Sequence, residues 1–263
     1  MNRMWSALFL KSSSSADMLH KSKGLVLRAV KYGETSLVVT MFTELFGVQS
    51  YMVNGVRTAS PKQPYRGNFF QPGTLLDLVV YHNEKHTLQR IKEYKWSYIY
   101  QDIYRNVHKN TVALFIAELL QKCLRQPETN AELFAFVEDV LIHLDKSSDT
   151  VAANMPLYFL VHQAHFFGFM IQDGFDEMHS VLDLREGMYI SSRPEHPYYL
   201  EGRLSEISSQ LLKTLHPDEL EQLPLGRDQR KLLMDALLGF YQFHQPDFGQ
   251  MRSLAVLHAL YEG

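Results

Sequence analysis

Three cations, Arg57, Lys62 and Arg66, are interleaved with the aromatic residues Tyr65 and Phe69 in residues 54–73, a stretch with three prolines, three glycines and no acidic side chain. Cations neutralise phosphates while neighbouring aromatic faces accept stacked bases, the combination that single-strand binders use. A loop this long in a compact domain is usually functional or disordered. A second basic-aromatic set lies in residues 87–96. Simple strand alternation puts Arg90, Lys92, Tyr94 and Trp96 on one face and Gln89, Ile91, Glu93 and Lys95 on the other. With Arg28 and Lys31 from an earlier strand, the candidate phosphate contacts are Arg28, Lys31, Arg57, Lys62, Arg66, Arg90, Lys92 and Lys95. Tyr65 and Trp96 are the candidate stacking groups.

Other chemistry is thinner. The chain has neither a GxxxxGK phosphate loop nor a GxSxG nucleophile elbow. His162 and His165 stand three apart on an expected helix, without a third ligand at a recognisable spacing. Residues 173–196 hold Asp173, Asp176, Glu177, His179, Asp183 and His196, but not in a calcium-loop order. The single cysteine, Cys123, sits in an apolar helical run and excludes an internal disulfide framework or a zinc site built on several thiolates. It reads as a small buried hydrophobe in a reducing cytoplasm. No cofactor and no metal are expected.

The elements that must position these residues fall into two halves. Residues 18–100 carry 11 Lys and Arg against 5 Asp and Glu, and residues 101–263 carry 13 against 23. Such asymmetry suggests a boundary near residue 100 and a polyanionic partner for the first half. Strands are expected at 23–32, 36–43, 48–53, 74–81 and 87–96. In the first, Leu25, Leu27 and Ala29 should share one face and Val26, Arg28 and Val30 the other. Five short strands in about 75 residues suit a small Greek-key barrel of the oligonucleotide-binding (OB) type. Helical periodicity then predicts helices over 110–124, 132–144, 155–171, 204–215, 227–244 and 253–261. The expected fold is therefore α+β: a five-stranded OB barrel over 18–100, then an all-α domain over 101–263. Residues 1–17 read as a disordered extension, or as sequence upstream of a functional start at Met18. No apolar run approaches the roughly 20 residues of a membrane-spanning helix, so a soluble protein is expected.

The order GLVLRAVKYGETSLVVTMFTELFG, then VNGVR, a basic loop, QPGTLLDLVVY and TLQRIKEY resembles the RecO family of bacterial recombination mediators and DNA repair proteins. Most telling are Tyr32-Gly33-Glu34-Thr35-Ser36, Phe42-Thr43 with Gly47, and Gly55 with Arg57. The similarity continues through LFIAELLQKCL and AELFAFVEDVL to YQFH and MRSLAVL. The resemblance implies binding of single- and double-stranded DNA, annealing of complementary strands, action with the RecR protein, and capture of the acidic C-terminal tail of single-strand-binding protein. It implies no reaction on a small substrate. Many members carry a four-cysteine zinc module after the third helix, and residues 172–202 here contain no cysteine. A pocket for the acidic tail is expected to draw on Arg105, Lys109, Lys122 and Arg125. Two other readings stay open. In one, the protein is an interaction adaptor whose helical half binds partners and whose barrel does not bind DNA. In the other, it is a metal-dependent nuclease using residues 173–196.

Overall fold

The structure, a computed structural model, describes residues 18–57, 66–223 and 225–262. The leading 17 residues lie outside the described residues, as does the middle of the basic loop with Lys62 and Tyr65. The first strand, β1 (Met18–Tyr32), is long enough to serve two neighbours in turn. Its first half pairs antiparallel with β4 (Leu75–His82) and its second half with β2 (Ser36–Thr43). With β3 (Gly47–Val53) and β5 (Leu88–Trp96) the strands close into a barrel of order β1-β2-β3-β5-β4, in which β3 and β5 run parallel. This is the expected five-stranded, OB-like barrel.

Two bulges change which side chains face inward. In β1 the register shifts between Val26 and Arg28, so Leu27 is the extra residue. Ala29 consequently joins Val26 on the barrel interior rather than sharing the face of Leu25 and Leu27. In β5 the shift falls opposite Val79 and Val80, and Lys92 is the extra residue. Bulges of this kind let a small barrel coil and close.

The chain then turns helical, with α1 (Val107–Cys123), α2 (Ala131–Lys146) and α3 (Asp149–Gln163) in succession. The third helix starts six residues before the expected Met155, capped by Ser148, whose hydroxyl accepts from the Val151 amide at 3.2 Å. It ends at Gln163, well before Ile171. A 3-10 turn, Ala164–Phe167, follows, and Gly168 in the left-handed region (φ 78°) stops the run. The helices α4 (Gly202–Lys213), α5 (Arg227–His244) and α6 (Arg252–Glu262) complete the helical region. Between α3 and α4 the chain forms a small antiparallel sheet, β6 (Val181–Asp183), β7 (Met188–Ile190) and β8 (Tyr199–Leu200), where the sequence suggested only a loop.

One apolar core runs from the helices into the barrel wall. Leu25, Leu27, Phe42 and Leu75 point out of the barrel and pack with Phe134, Val137 and Leu141 of α2. The rings of Phe42 and Phe134 lie 5.4 Å apart. The barrel interior is a separate cluster around Val26, Val39, Met41, Tyr51 and Leu76. Beside the apolar contact, Lys23 of β1 bridges Glu138 of α2 at 2.7 Å. The linker into α1 is held by Asp145, which is 3% exposed and accepts from the amides of Gln101, Asp102 and Ile103 at 2.8–2.9 Å. No helix among the described residues is long and apolar enough to cross a membrane.

Candidate nucleic-acid interface

Extended strands place alternate side chains on one side, so the outer wall formed by β1, β4 and β5 follows from their register. Lys23 faces Asp77, which faces Lys95, and Lys21 faces Val79, which faces Glu93. A groove of about 1070 Å³ runs along this wall. Five cations line it: Lys21, Lys23, Lys92, Lys95 and, from the end of the basic loop, Arg66. Three carboxylates, Glu44, Asp77 and Glu93, are interspersed among them. Lys95 approaches Asp77 at 3.3 Å and Lys92 approaches Glu93 at 3.9 Å, both on exposed side chains where water screens the attraction. Lys21 and Arg66 have no ion pair among the described residues.

The bulge at Lys92 corrects the expected face of β5. Tyr94 and Trp96 stand opposite Leu78 and Leu76 and pack inward with Ile91 against the barrel interior. Arg90, Lys92, Glu93 and Lys95 are left outside. Trp96 therefore leaves the face of the cations, whereas Phe69 and Tyr94 line the groove beside them. Trp96 has one ring face covered by Phe69, stacked at 4.1 Å and 17°. Gln89 also points inward and is 3% exposed, its amide donating to the Asn83 and His86 carbonyls to pin the β4–β5 turn.

The remaining expected contacts are scattered. Arg28 and Lys31 are exposed on the half of β1 that pairs with β2, beyond the Leu27 bulge and away from the groove. Arg90 sits five residues before Lys95, roughly 17 Å along an extended strand. Arg57 is drawn into structure: its guanidinium donates to the Gly33 carbonyl at 2.8 Å and its amide to the Thr35 carbonyl at 3.1 Å. The loop is closed at its base, where the Arg66 amide donates to the Val56 carbonyl at 3.2 Å. Lys21 and Lys23 are absent from the expected set: the expected strand 23–32 leaves Lys21 outside it and takes up Lys23 only as its first residue. The signal was present, since Lys21 and Lys23 alternate with His20 and Ser22 in strand fashion.

The four cations expected to hold an acidic tail do not form one pocket. Lys109 is 3% exposed and committed to Asp102 at 2.6 Å and to the Asp145 carbonyl at 3.1 Å, which removes it from any surface. Lys122 donates to the Phe248 carbonyl at 2.8 Å, and Arg125 faces Asp247 at 3.7 Å, so this pair shares the far end of α1. Arg105 lies just before the opposite end of α1, exposed and unpaired among the described residues.

Most of the residues that suggested metal or covalent chemistry have internal partners. His162 is half-buried on α3, and burial lowers its pKa, whereas His165 is exposed on the following turn. Asp173 accepts from Ser209 at 2.7 Å and meets Lys213 at 3.2 Å. Asp183 accepts from the Arg185 and Glu186 amides at 2.8 and 3.2 Å and lies 3.3 Å from His196. Among the described residues no three His, Cys, Asp or Glu are arranged to hold a metal. Burial pushes the Cys123 thiol up to about 12, which leaves it protonated at neutral pH.

Family profiles described as recombination protein O N terminal and recombination protein O C terminal match residues 18–100 and 104–252. The chain belongs to the RecO family. Proteins named DNA repair protein RecO are similar along almost their whole length. The one from Flavobacterium psychrophilum is 31% identical over 92% of this chain and 98% of its own. That from Bacteroides fragilis is 31% identical over 93% and 100%, and that from Christiangramia forsetii 30% over 93% and 100%. The residues that carried the RecO resemblance meet in space. The Tyr32–Ser36 turn receives both hydrogen bonds from Arg57, and Ser36 donates to the Asn54 side chain at 3.0 Å. In the cysteine-free stretch after α3, this chain builds β6, β7 and β8 around the Asp183 turn. Leu182, Leu184 and Leu200 enter the helical core there, and Tyr189 donates to the Ser205 carbonyl at 3.1 Å.

Proposed function

We propose that this RecO-family protein is a non-enzymatic DNA repair and recombination mediator acting at the cytoplasmic nucleoid. It binds single- and double-stranded DNA, anneals complementary strands and, with RecR and single-strand-binding protein, helps load the recombinase. Residues 18–100 are its DNA-binding domain and residues 101–263 its partner-binding domain. The observation that carries this reading is the groove on the outer wall of the barrel, where Lys21, Lys23, Arg66, Lys92 and Lys95 converge. Lysines and arginines on a strand surface contact phosphates without reading bases, so binding is sequence-tolerant and salt-sensitive. With Lys109 buried and Arg105 at the opposite end of α1, Lys122 and Arg125 are the neighbouring pair left for an acidic tail.

The test is a titration of labelled oligo(dT) over a range of salt. The triple variant Arg66→Glu, Lys92→Glu, Lys95→Glu is expected to bind at least about tenfold more weakly at low salt. Its log–log salt slope should fall by roughly 2, at about 0.7 per lost phosphate contact. The variant Arg28→Glu, Lys31→Glu changes the same number of charges per residue away from the groove and is expected to lose much less. Unchanged affinity and slope in the triple variant would remove the groove from the binding site and favour the adaptor reading.

A further inference from the structure

A second depression, of about 600 Å³, lies between the end of β5 and the start of α1. Tyr100 and Tyr104 form its floor, their rings edge to face at 5.5 Å. Both hydroxyls are tied down: Tyr100 donates to the Gly73 carbonyl at 2.9 Å, and Tyr104 shares a 2.7 Å hydrogen bond with Thr74. Tyr104, 40% exposed, offers ring surface rather than its hydroxyl, and Tyr100, 7% exposed, backs it edge to face. Around the rim stand Asn68, Gln71, Asn110 and Arg105, whose side chains make no hydrogen bond or ion pair among the described residues. No acidic residue lines the depression, and Arg105 is the single charged side chain among the described residues that does.

The depression adjoins the basic groove. The 3-10 turn Gly67–Phe70 stands between them, with Arg66 and Phe69 on the groove side and Asn68 and Gln71 on the other. On β5, Lys95 lines the groove and its neighbour Trp96 lines the depression. The Phe69–Trp96 stack is the divide between the two.

We infer that a single strand of DNA leaving the groove crosses this stack and seats one or two bases in the depression, where Arg105 holds a phosphate. The occupant follows from the lining. Carboxamides both donate and accept, which matches the mixed edges of bases, and aromatic surface accepts any base by stacking. One guanidinium without carboxylates suits one phosphate. An acidic peptide would ask for several cations. The inference rests on the DNA-binding reading above and lengthens the path that reading describes.

The experiment uses the full chain with Trp5→Phe, so that Trp96 is the sole tryptophan. Oligo(dT) and an abasic oligomer of equal length are titrated, following both anisotropy and Trp96 emission. Oligo(dT) is expected to quench Trp96 and to bind about tenfold or more tightly than the abasic strand, because stacking of a base is lost in the latter. Arg105→Glu, at an exposed and unpaired position, is expected to reduce the quenching and weaken oligo(dT) binding about threefold or more, with an unchanged thermal midpoint. Wild-type quenching and affinity in Arg105→Glu, together with weakened binding in the groove triple variant, would overturn the inference and leave the proposed function standing. If the parent chain binds neither oligomer at low salt, both fall.

Discussion

Lys23 and Glu138 form a two-pronged ion pair, Nζ to Oε1 at 2.7 Å and to Oε2 at 2.8 Å, that joins β1 to α2. The hydrogen bond that Lys23 donates to Glu138 is the main cause of its raised pKa. Lys23 also lines the basic groove, so in the proposed function helix docking and phosphate binding compete for it. Glu138→Gln is expected to cost about 1 kcal/mol of stability or less, since the lysine is partly exposed. Oligo(dT) binding at low salt should tighten about two- to threefold as a carboxylate leaves the vicinity. Thermal unfolding and anisotropy on one variant check both halves. Weaker binding would show that Glu138 positions Lys23 rather than restraining it.

At Gly47 the barrel lies directly against the α1–α2 connection. Its φ is +60°, and a Cβ there would overlap the Glu128 carbonyl and crowd Pro127. Gly47→Ala is therefore expected to destabilise by about 2 kcal/mol or more, from the left-handed conformation together with the displaced backbone. Gly33→Ala has a similar φ of +56° but open space around the added carbon. It should cost only about 1 kcal/mol. Urea unfolding of the two variants separates conformational cost from contact.

Asp145 makes stability depend on acid. Burial alone would raise its pKa, but the amides of Gln101, Ile103 and Asp102 and the Tyr98 hydroxyl outweigh that and hold it below the ordinary value. A carboxylate depressed in the folded state contributes stability above its unfolded pKa of about 3.9, and that contribution disappears as pH falls through the folded value. Asp145→Asn is expected to cost about 3 kcal/mol at pH 7, since an amide cannot accept from all the donors facing it. The gap in Tm between wild type and Asp145→Asn should narrow below about pH 4. A gap that stays constant down to pH 3 would refute this account.

Much of the architecture is legible in composition and period, because strands and helices here bury faces that local sequence marks. The five barrel strands and most of the helix positions follow from apolar spacing together with Gly33, Gly47 and the proline-rich stretch after β3. The faces are another matter. Alternation counted along β1 and β5 gives wrong partners beyond Leu27 and Lys92, because a bulge depends on barrel closure and leaves no mark in residue type. Lys109 looks like any surface lysine, and only the fold brings Asp102 and the Asp145 carbonyl to it. The strands β6, β7 and β8 have three, three and two residues, too few for a period to register. Of the candidate contacts, Arg66, Lys92 and Lys95 share the groove, and Lys21 joins them through a strand longer than its apolar core suggests.

The extra residue at Lys92 gives β5 something like a reading frame. Upstream of it odd-numbered residues, Gln89 and Ile91, face the interior; downstream the even-numbered Tyr94 and Trp96 do. Removing one residue beyond the bulge, such as Lys95, would turn Trp96 from the interior to the outer face. Exchanging side chains while keeping the count would leave the outward lysines where they are. In this strand, an insertion or deletion is a more drastic event than a substitution, and natural variation in β5 should show far more changes of residue than changes of length.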